Sequence, residues 1–504
     1  MTTLVTPDAE DALLARTPTG LLVGGRWREA EDGTRFDVVD PSRGTVLATV
    51  ADARPADGHR ALTAAHAAQA SWGRTPARER AEILRRAFEL VTARADDFAL
   101  LMTLEMGKPL AESHGEVAYG AEFLRWFSEE APRVSGSYAT APDGRNRLLV
   151  TKRPVGPCLF ITPWNFPLAM ATRKIAPAVA AGCTMVLKPA ELTPLTALLL
   201  AEVMAEAGLP DGVLNVVPTT DPGGVTGPLL RDDRLRKLSF TGSTPVGRRL
   251  IADSADQVLR VSMELGGNAP FVVFEDADLE AAVEGAVTAK LRNGGEACVA
   301  ANRFLVHRSL AVEFGERLAE RMGGYTVGRG TEPGTRLGPL INEAAVAKVR
   351  RLVDGAVADG ARIALGGRPV EGPGYFYAPT VVTDVPPGAA ILDEEVFGPV
   401  APVITFDTED EAVRLANDTP FGLVCFVYTR DFDRGLRMAE RLETGMLGLN
   451  TGVVSNPAAP FGGVKQSGLG REGGREGIEE YLETCYVGIA DPFAHTTAAG
   501  QEAR

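Results

Sequence analysis

The sequence predicts an α/β protein with two parallel-sheet domains, on three observations. Short apolar runs alternate with helical stretches from residue 157 onward, a second such series follows residue 266, and chemically distinctive groups fall just after several of the runs. A strand repeatedly followed by a helix returns to its sheet in parallel, and parallel sheets meet ligands at the carboxyl ends of their strands. A length of 504 residues suits roughly three domains.

Ahead of the first series, residues 20–27 and 36–39 alternate as strands do, and the Ala-rich, charged patterns over 57–72 and 77–105 read as helices. Residues 134–147, rich in Gly, Ser, Pro and Asp, read as a turn-laden excursion. Strands follow at 158–162, 183–187, 213–217, 238–240 and 259–263, then at 271–274, 304–306, 402–406, 423–428 and 446–449. One helix carries full punctuation: Thr193 as N-cap, Pro194 in the first turn, Leu195, Leu198, Leu199 and Val203 on one face, and Gly208 and Pro210 as stops. No fixed-period repeat is present, and a loose Ala- and Gly-rich tail closes the chain.

Composition narrows the function. Hydrophobic residues make up 45% and charged residues 23%, an ordinary globular mix. Lys and Arg number 52 against 66 Asp and Glu, a net charge of −14 with no basic run, so no nucleic-acid partner is expected. The first ten residues are acidic and lack a signal-peptide pattern, and the most apolar stretch, 175–187, is too short to span a bilayer. Five widely spaced cysteines without a CxxC pair suit a reducing cytoplasm, and the five histidines lack metal-ligand spacing, so a cytoplasmic chain without membrane or metal site is expected.

Two segments suggest covalent chemistry. Cys298 stands in RNGGEACVAANR and Glu264 in MELGGN, a thiol that can add to an electrophilic carbon and a carboxylate that can activate water. A lone cysteine is more often an inert small hydrophobe, so the case rests on the remaining motifs. PWNFP, at 163–167, follows a strand, where the Asn165 amide can donate to a developing oxyanion; in isolation the same residues suit a turn. Lys188 and Glu191, in KPAE, close the next strand and can contact a nucleotide ribose, though a solvated pair has the same pattern. Glu191 would repel a 2′-phosphate, which favours NAD and leaves NADP open. Gly242, Ser243 and Gly247, in FTGSTPVG, form a strand-to-helix turn suited to a pyrophosphate. GLGREG at 468–473 fits the dinucleotide fingerprint, but too little chain follows for the βαβ unit that gives it meaning, and it reads as a chance match.

With ELGGN, the Cys298 segment, EEVFGP at 394–399 and PFGGVKQSG at 460–468, these motifs occur in the order seen in the aldehyde dehydrogenase superfamily, which the chain resembles over about residues 20–490. The resemblance implies an aldehyde-dehydrogenase-like α/β fold: a Rossmann-like NAD-binding domain of residues 15–132 and 152–263, a catalytic domain of 264–478, a β oligomerisation arm of 133–151 and 479–490, and a tail of 491–504. It implies Cys298 as nucleophile, Glu264 as general base, Asn165 with the Cys298 amide as oxyanion hole, and Lys174 and Glu472 supporting the base and its proton path. Trp164, Lys188, Glu191, Gly242, Ser243, Gly247, Glu395 and Phe397 would hold the cofactor. Glu264 argues for hydrolysis of the acyl group rather than transfer to coenzyme A.

Arg173 and Arg292, with Ser455, further resemble the succinate-semialdehyde dehydrogenase branch, where matching residues bind the substrate's far carboxylate; paired guanidinium donors suit that group. Phe166 and Phe461 would line the same pocket. The substrate implied is succinate semialdehyde or a close ω-carboxylated aldehyde such as glutarate semialdehyde, and the assembly a homodimer or homotetramer. The rival readings are a broad-range or betaine-type enzyme and a non-catalytic NAD-binding protein. Three features depart from the pattern. Glu296 stands where Gln is usual and is expected to point away from the thiol; Ala300 replaces a second cysteine, so no local disulfide switch is expected; and residues 456–459 differ at the substrate entrance.

Overall fold

The computed structural model describes residues 5–494. Its first sheet has eight strands, in spatial order Arg26–Arg28, Leu21–Val23, Leu214–Val216, Met185–Lys188, Cys158–Ile161, Lys237–Thr241, Arg260–Glu264 and Gly468–Leu469. The five from Leu214–Val216 to Arg260–Glu264 are parallel, and Cys158–Ile161 and Met185–Lys188 are buried throughout because helices cover both faces. The sheet's parallel part starts at Cys158–Ile161, steps outward through two strands, then returns to build the other side from Lys237–Thr241. That reversal opens a crevice at the carboxyl ends of Cys158–Ile161 and Lys237–Thr241, the place where open α/β sheets take ligands.

The second sheet has seven strands, in order Arg362–Leu365, Thr380–Thr383, Val400–Phe406, Ala301–His307, Ala269–Val273, Val424–Tyr428 and Met446–Leu449. All but the first pair in parallel. A separate antiparallel sheet joins Ser137–Thr140, Asn146–Pro154 and Leu482–Ala490, the last two in register from Leu482 opposite Pro154 to Ala490 opposite Asn146. Each large sheet has its own apolar cores, and a small cluster of Phe166, Ala169, Met170, Ala297 and Ala300 packs between them.

Several local expectations change. Residues 20–27 form a hairpin, Leu21–Val23 with Arg26–Arg28, turning through Gly24 and Gly25 at positive φ. The helical stretch 77–105 is two helices, Ala77–Ala93 and Ala95–Met106, broken at Arg94. The excursion at 134–147 contains strand Ser137–Thr140 and leads into Asn146–Pro154. Thr193 does not cap the helix Leu195–Glu206: its hydroxyl donates to the Trp164 carbonyl at 3.2 Å, while the buried Glu105 carboxylate, remote in sequence, accepts from the Leu195 amide at 2.8 Å and the Thr196 amide at 2.9 Å. Segment 468–473, expected to match the fingerprint only by chance, is a sheet edge: Gly468–Leu469 adds antiparallel to Arg260–Glu264. Of the tail expected from 491, Asp491 is fixed by the Arg145 carbonyl and an ion pair with Arg147 at 2.9 Å; residues 495–504 lie outside the described residues. Among the described residues no helix is long and apolar enough to cross a membrane, and no cluster of His, Cys, Asp and Glu could hold a metal.

Candidate active site

A cleft of about 400 Å³ opens at the crevice, walled by Trp164, Asn165, Thr241, Gly242, Ser243 and Glu264 from the first sheet and by Cys298, Asn342, Lys348, Glu395 and Phe397 from the second half of the chain. The folding of each segment places these groups. Arg260–Glu264 ends on Glu264 at the carboxyl edge. Helix Leu279–Leu291 ends in a tight turn in which Asn293, Gly294 and Gly295 all adopt positive φ, and this swings Cys298 toward the cleft. A Cβ on Gly295 would lie 2.3 Å from the Gly398 carbonyl, so the turn seats against the segment carrying Glu395 and Phe397. Phe397 itself has φ +55, strained for a bulky residue, and its ring meets Trp164 edge-on at 5.5 Å between centroids.

Burial sets the electrostatics. The half-buried Cys298 thiol is pushed up to about 12 by desolvation, with Arg173 opposing and Glu395 and Glu264 adding to the rise. Glu264 is raised well above the usual carboxyl range by burial and then by Glu472, while Arg173 and Lys174 pull it back. Burial also pushes Glu472 up, but Lys174 and Arg173 outweigh it and hold this carboxylate below its ordinary value. The contacts are direct: Lys174 Nζ donates to Glu472 Oε1 at 2.6 Å and to the Ser239 hydroxyl at 2.9 Å, and Arg173 Nη2 lies 2.7 Å from Glu472 Oε2. Glu472 reaches this position because its backbone pairs with Phe461, at 2.7 and 2.8 Å. The result is a poised pair, one carboxyl with raised proton affinity beside one held ionised.

Asn165 Nδ2 donates to the Glu296 carbonyl at 3.0 Å, leaving its second N–H, since an amide carries two. The Glu296 carboxyl accepts from the Ile341 amide at 3.1 Å, and burial raises its proton affinity well above the ordinary carboxyl range. Gly242 and Ser243 line the cleft ahead of helix Thr244–Ser254. Gly247 instead serves packing: a Cβ there would lie 2.4 Å from Leu265. Lys188 and Glu191 are one strand away, paired with each other at 3.0 Å rather than standing in the cleft wall. Glu395 Oε1 accepts from the Gly267 amide at 3.3 Å, and burial pushes its carboxyl up to about 7.

The two arginines separate. Arg173 is 2% exposed, ion-paired with Glu472 and covered by Phe461, whose ring centroid is 3.9 Å away. The carboxylate it meets is therefore one inside the protein, where the resemblance implied one on the substrate. Arg292 is half-buried, has no carboxylate partner among the described residues, and stands 5.7 Å from the Tyr119 ring and 5.4 Å from the Phe166 ring. Ser455 lies beside Tyr119 in turn.

Sequence reasoning missed Tyr119, Lys348 and Lys290. Tyr119, within helix Leu110–Glu130, and Lys348, within helix Glu343–Ala358, have no local signature; Lys290 is fully buried near Glu395, unpartnered, and pushed down to about 7 by burial. The Asn342 cap of helix Glu343–Ala358 was the one available hint that this helix begins at a site.

Known proteins match this arrangement. A succinate-semialdehyde dehydrogenase of Paenarthrobacter nicotinovorans is 66% identical over 89% of this chain and all of its own length. A glutarate-semialdehyde dehydrogenase of Pseudomonas putida is 50% identical over 93% of this chain and 97% of its own, and a succinate-semialdehyde dehydrogenase [NADP(+)] of Escherichia coli is 48% identical over the same shares. Among solved structures, a succinate-semialdehyde dehydrogenase from Burkholderia pseudomallei superposes at TM-score 0.93 with 51% identity, covering 97% of this chain and 100% of that one. A betaine aldehyde dehydrogenase from Staphylococcus aureus in complex with NAD+ reaches 0.93 at 34% identity, covering 96% and 97%. With residues 27–487 matching the family throughout, the chain belongs to the aldehyde dehydrogenase family.

Proposed function

We propose that this aldehyde dehydrogenase oxidises succinate semialdehyde, or a close ω-carboxylated aldehyde such as glutarate semialdehyde, to the dicarboxylate through a thioester on Cys298. The observation that carries the reading is Arg292, a guanidinium that forms no ion pair among the described residues, with Glu112 within its electrostatic reach, set between Tyr119 and Phe166 with Ser455 alongside. An unpaired cation in a partly apolar pocket favours an anionic substrate end and disfavours a trimethylammonium one. The names of the most similar relatives support the same substrates.

The cleft suits a nicotinamide dinucleotide. Gly242 and Ser243 precede a helix N-terminus fit for a pyrophosphate, Lys348 and Glu395 offer a donor and an acceptor for ribose hydroxyls, the buried Thr241 hydroxyl lacks a partner, and Trp164 and Phe397 supply an aromatic wall. When bound, the nicotinamide takes the hydride that leaves the aldehyde carbon. Cys298 supplies the attacking sulfur, and the Arg173 charge stabilises its thiolate. The free N–H of Asn165 and the Cys298 amide receive the oxyanion. Glu264, with raised proton affinity and one unpartnered oxygen, takes a proton from the water that hydrolyses the thioester, and Glu472 with Lys174 forms the polar path beyond it.

Glu191, 42% exposed at its side chain and beside Lys188, supports NAD over NADP. The three-stranded sheet carries exposed Tyr138 and Tyr486, at 64% and 58%, with Val487 and Ile489, and supports a homodimer or homotetramer. Steady-state kinetics on both semialdehydes, butanal and benzaldehyde test the substrate reading. A higher kcat/KM for the neutral aldehydes would refute it.

A further inference from the structure

The geometry points to Lys108 and Glu116 as positioning residues for the oxyanion hole: a buried ion pair that holds the Asn165 peptide where the side chain can serve the reacting carbon. The inference rests on the role given to Asn165 above and extends it to residues that touch neither cleft nor substrate. Lys108 lies between helices Ala95–Met106 and Leu110–Glu130, and Glu116 within the second. Both side chains are 1% exposed.

Each donor and acceptor of the pair has a destination. Lys108 Nζ donates to Glu116 Oε2 at 2.5 Å and to the Asn165 carbonyl at 2.8 Å, and stands 4.3 Å from the Phe166 ring centroid. Glu116 Oε1 accepts from the Leu168 amide at 2.9 Å and the Ala169 amide at 3.1 Å, where helix Ala169–Ala181 begins. The pair therefore grips the segment 165–169 at both ends. From the opposite side, Asn293 Nδ2 donates to the Asn165 carbonyl and to the Glu296 carbonyl, each at 3.0 Å, and the Glu296 carbonyl is the acceptor that Asn165 Nδ2 uses. The Asn165 peptide and the turn carrying Cys298 are thus tied to one polar node. Two buried charges are expensive, and an apolar pair of the same size would hold two helices together as well. What an apolar pair lacks is a directed donor to the Asn165 carbonyl.

The test compares Lys108→Met, Asn293→Gly, Asn165→Ala and the double variant Lys108→Met/Asn165→Ala, reading kcat and KM for succinate semialdehyde and butanal, cofactor affinity by tryptophan fluorescence, and the reactive thiol count. Asn165→Ala is expected to lose about 10²- to 10³-fold in kcat. Lys108→Met should lose about tenfold or more in kcat on both aldehydes alike, with cofactor affinity unchanged. The double variant should fall no further than Asn165→Ala, within about threefold, because the lysine acts through the asparagine. Asn293→Gly keeps the positive φ, removes the second donor and leaves the ion pair intact, so it carries the test if Lys108→Met fails to fold. Full kcat in Lys108→Met and Asn293→Gly, or multiplied losses in the double variant, overturns the proposal while the oxyanion role stands. Full kcat in Asn165→Ala overturns both.

Discussion

Replacing Arg292 by alanine removes a guanidinium that forms no ion pair among the described residues and stands beside the Tyr119 and Phe166 rings. A charge-assisted hydrogen bond to a carboxylate contributes about 1.5–3 kcal/mol, and truncating one partner of a buried charged contact costs about 2–5 kcal/mol. Arg292 is half-buried, so solvent screening places the loss toward the lower end, about 2–3 kcal/mol. At 1.36 kcal/mol per decade that is about 30- to 150-fold in kcat/KM for succinate semialdehyde. Butanal, which has the chain but no carboxylate, should change by less than about threefold, since Tyr119 and Phe166 remain. The assay follows NADH absorbance for both aldehydes on wild type and variant. If the two fall together, or neither falls, the carboxylate is not recognised at Arg292 and the substrate argument fails.

Other outcomes follow from the same contacts. Arg173→Ala should lower kcat on butanal as well as on succinate semialdehyde, because it strips Glu472 of an ion-pair partner; loss confined to the semialdehyde would show that Arg173 binds substrate alone. Glu264→Gln should give a normal first turnover of NADH followed by a steady rate about 10²- to 10⁴-fold lower, while an unchanged steady rate would exclude Glu264 as the base. In the enzyme without cofactor, carbamidomethylation of Cys298 by iodoacetamide should accelerate about tenfold per pH unit across the alkaline range, since the thiol is pushed up to about 12 and the thiolate fraction grows until that pH; a rate that levels off near neutrality would contradict this. Glu105→Ala leaves the Leu195 and Thr196 amides without their acceptor and should destabilise the protein by about 1–3 kcal/mol, read as a lower thermal midpoint with kcat preserved at 25 °C.

The positions of most strands and several residues of the cleft were legible in the sequence because each depends on local pattern, whereas the order of the strands was not. Buried parallel strands such as Cys158–Ile161 and Met185–Lys188 appear as unbroken apolar runs, and Asn165, Glu264 and Cys298 sit in segments whose glycines and prolines mark turns at strand ends. What escaped is long-range. Thr193 carries the local mark of a helix cap, but the cap is Glu105, brought in by tertiary packing. Gly247 looks like part of a phosphate turn and instead lets a helix approach Leu265. Arg173 and Arg292 look alike as letters and differ only in what surrounds them: Glu472 arrives beside Arg173 through a strand contact with Phe461, some 300 residues later in the chain. Tyr119 and Lys348 face the site from helices whose sequence reports their amphipathic spacing but not their neighbours.

The central claim is that the oxidised substrate is carried on the Cys298 sulfur. Mass spectrometry of the Glu264→Gln variant, quenched after mixing with NAD and succinate semialdehyde, should find a succinyl group on the peptide containing Cys298, absent when NAD is omitted. An unmodified Cys298 in protein that has released a full equivalent of NADH would contradict the account.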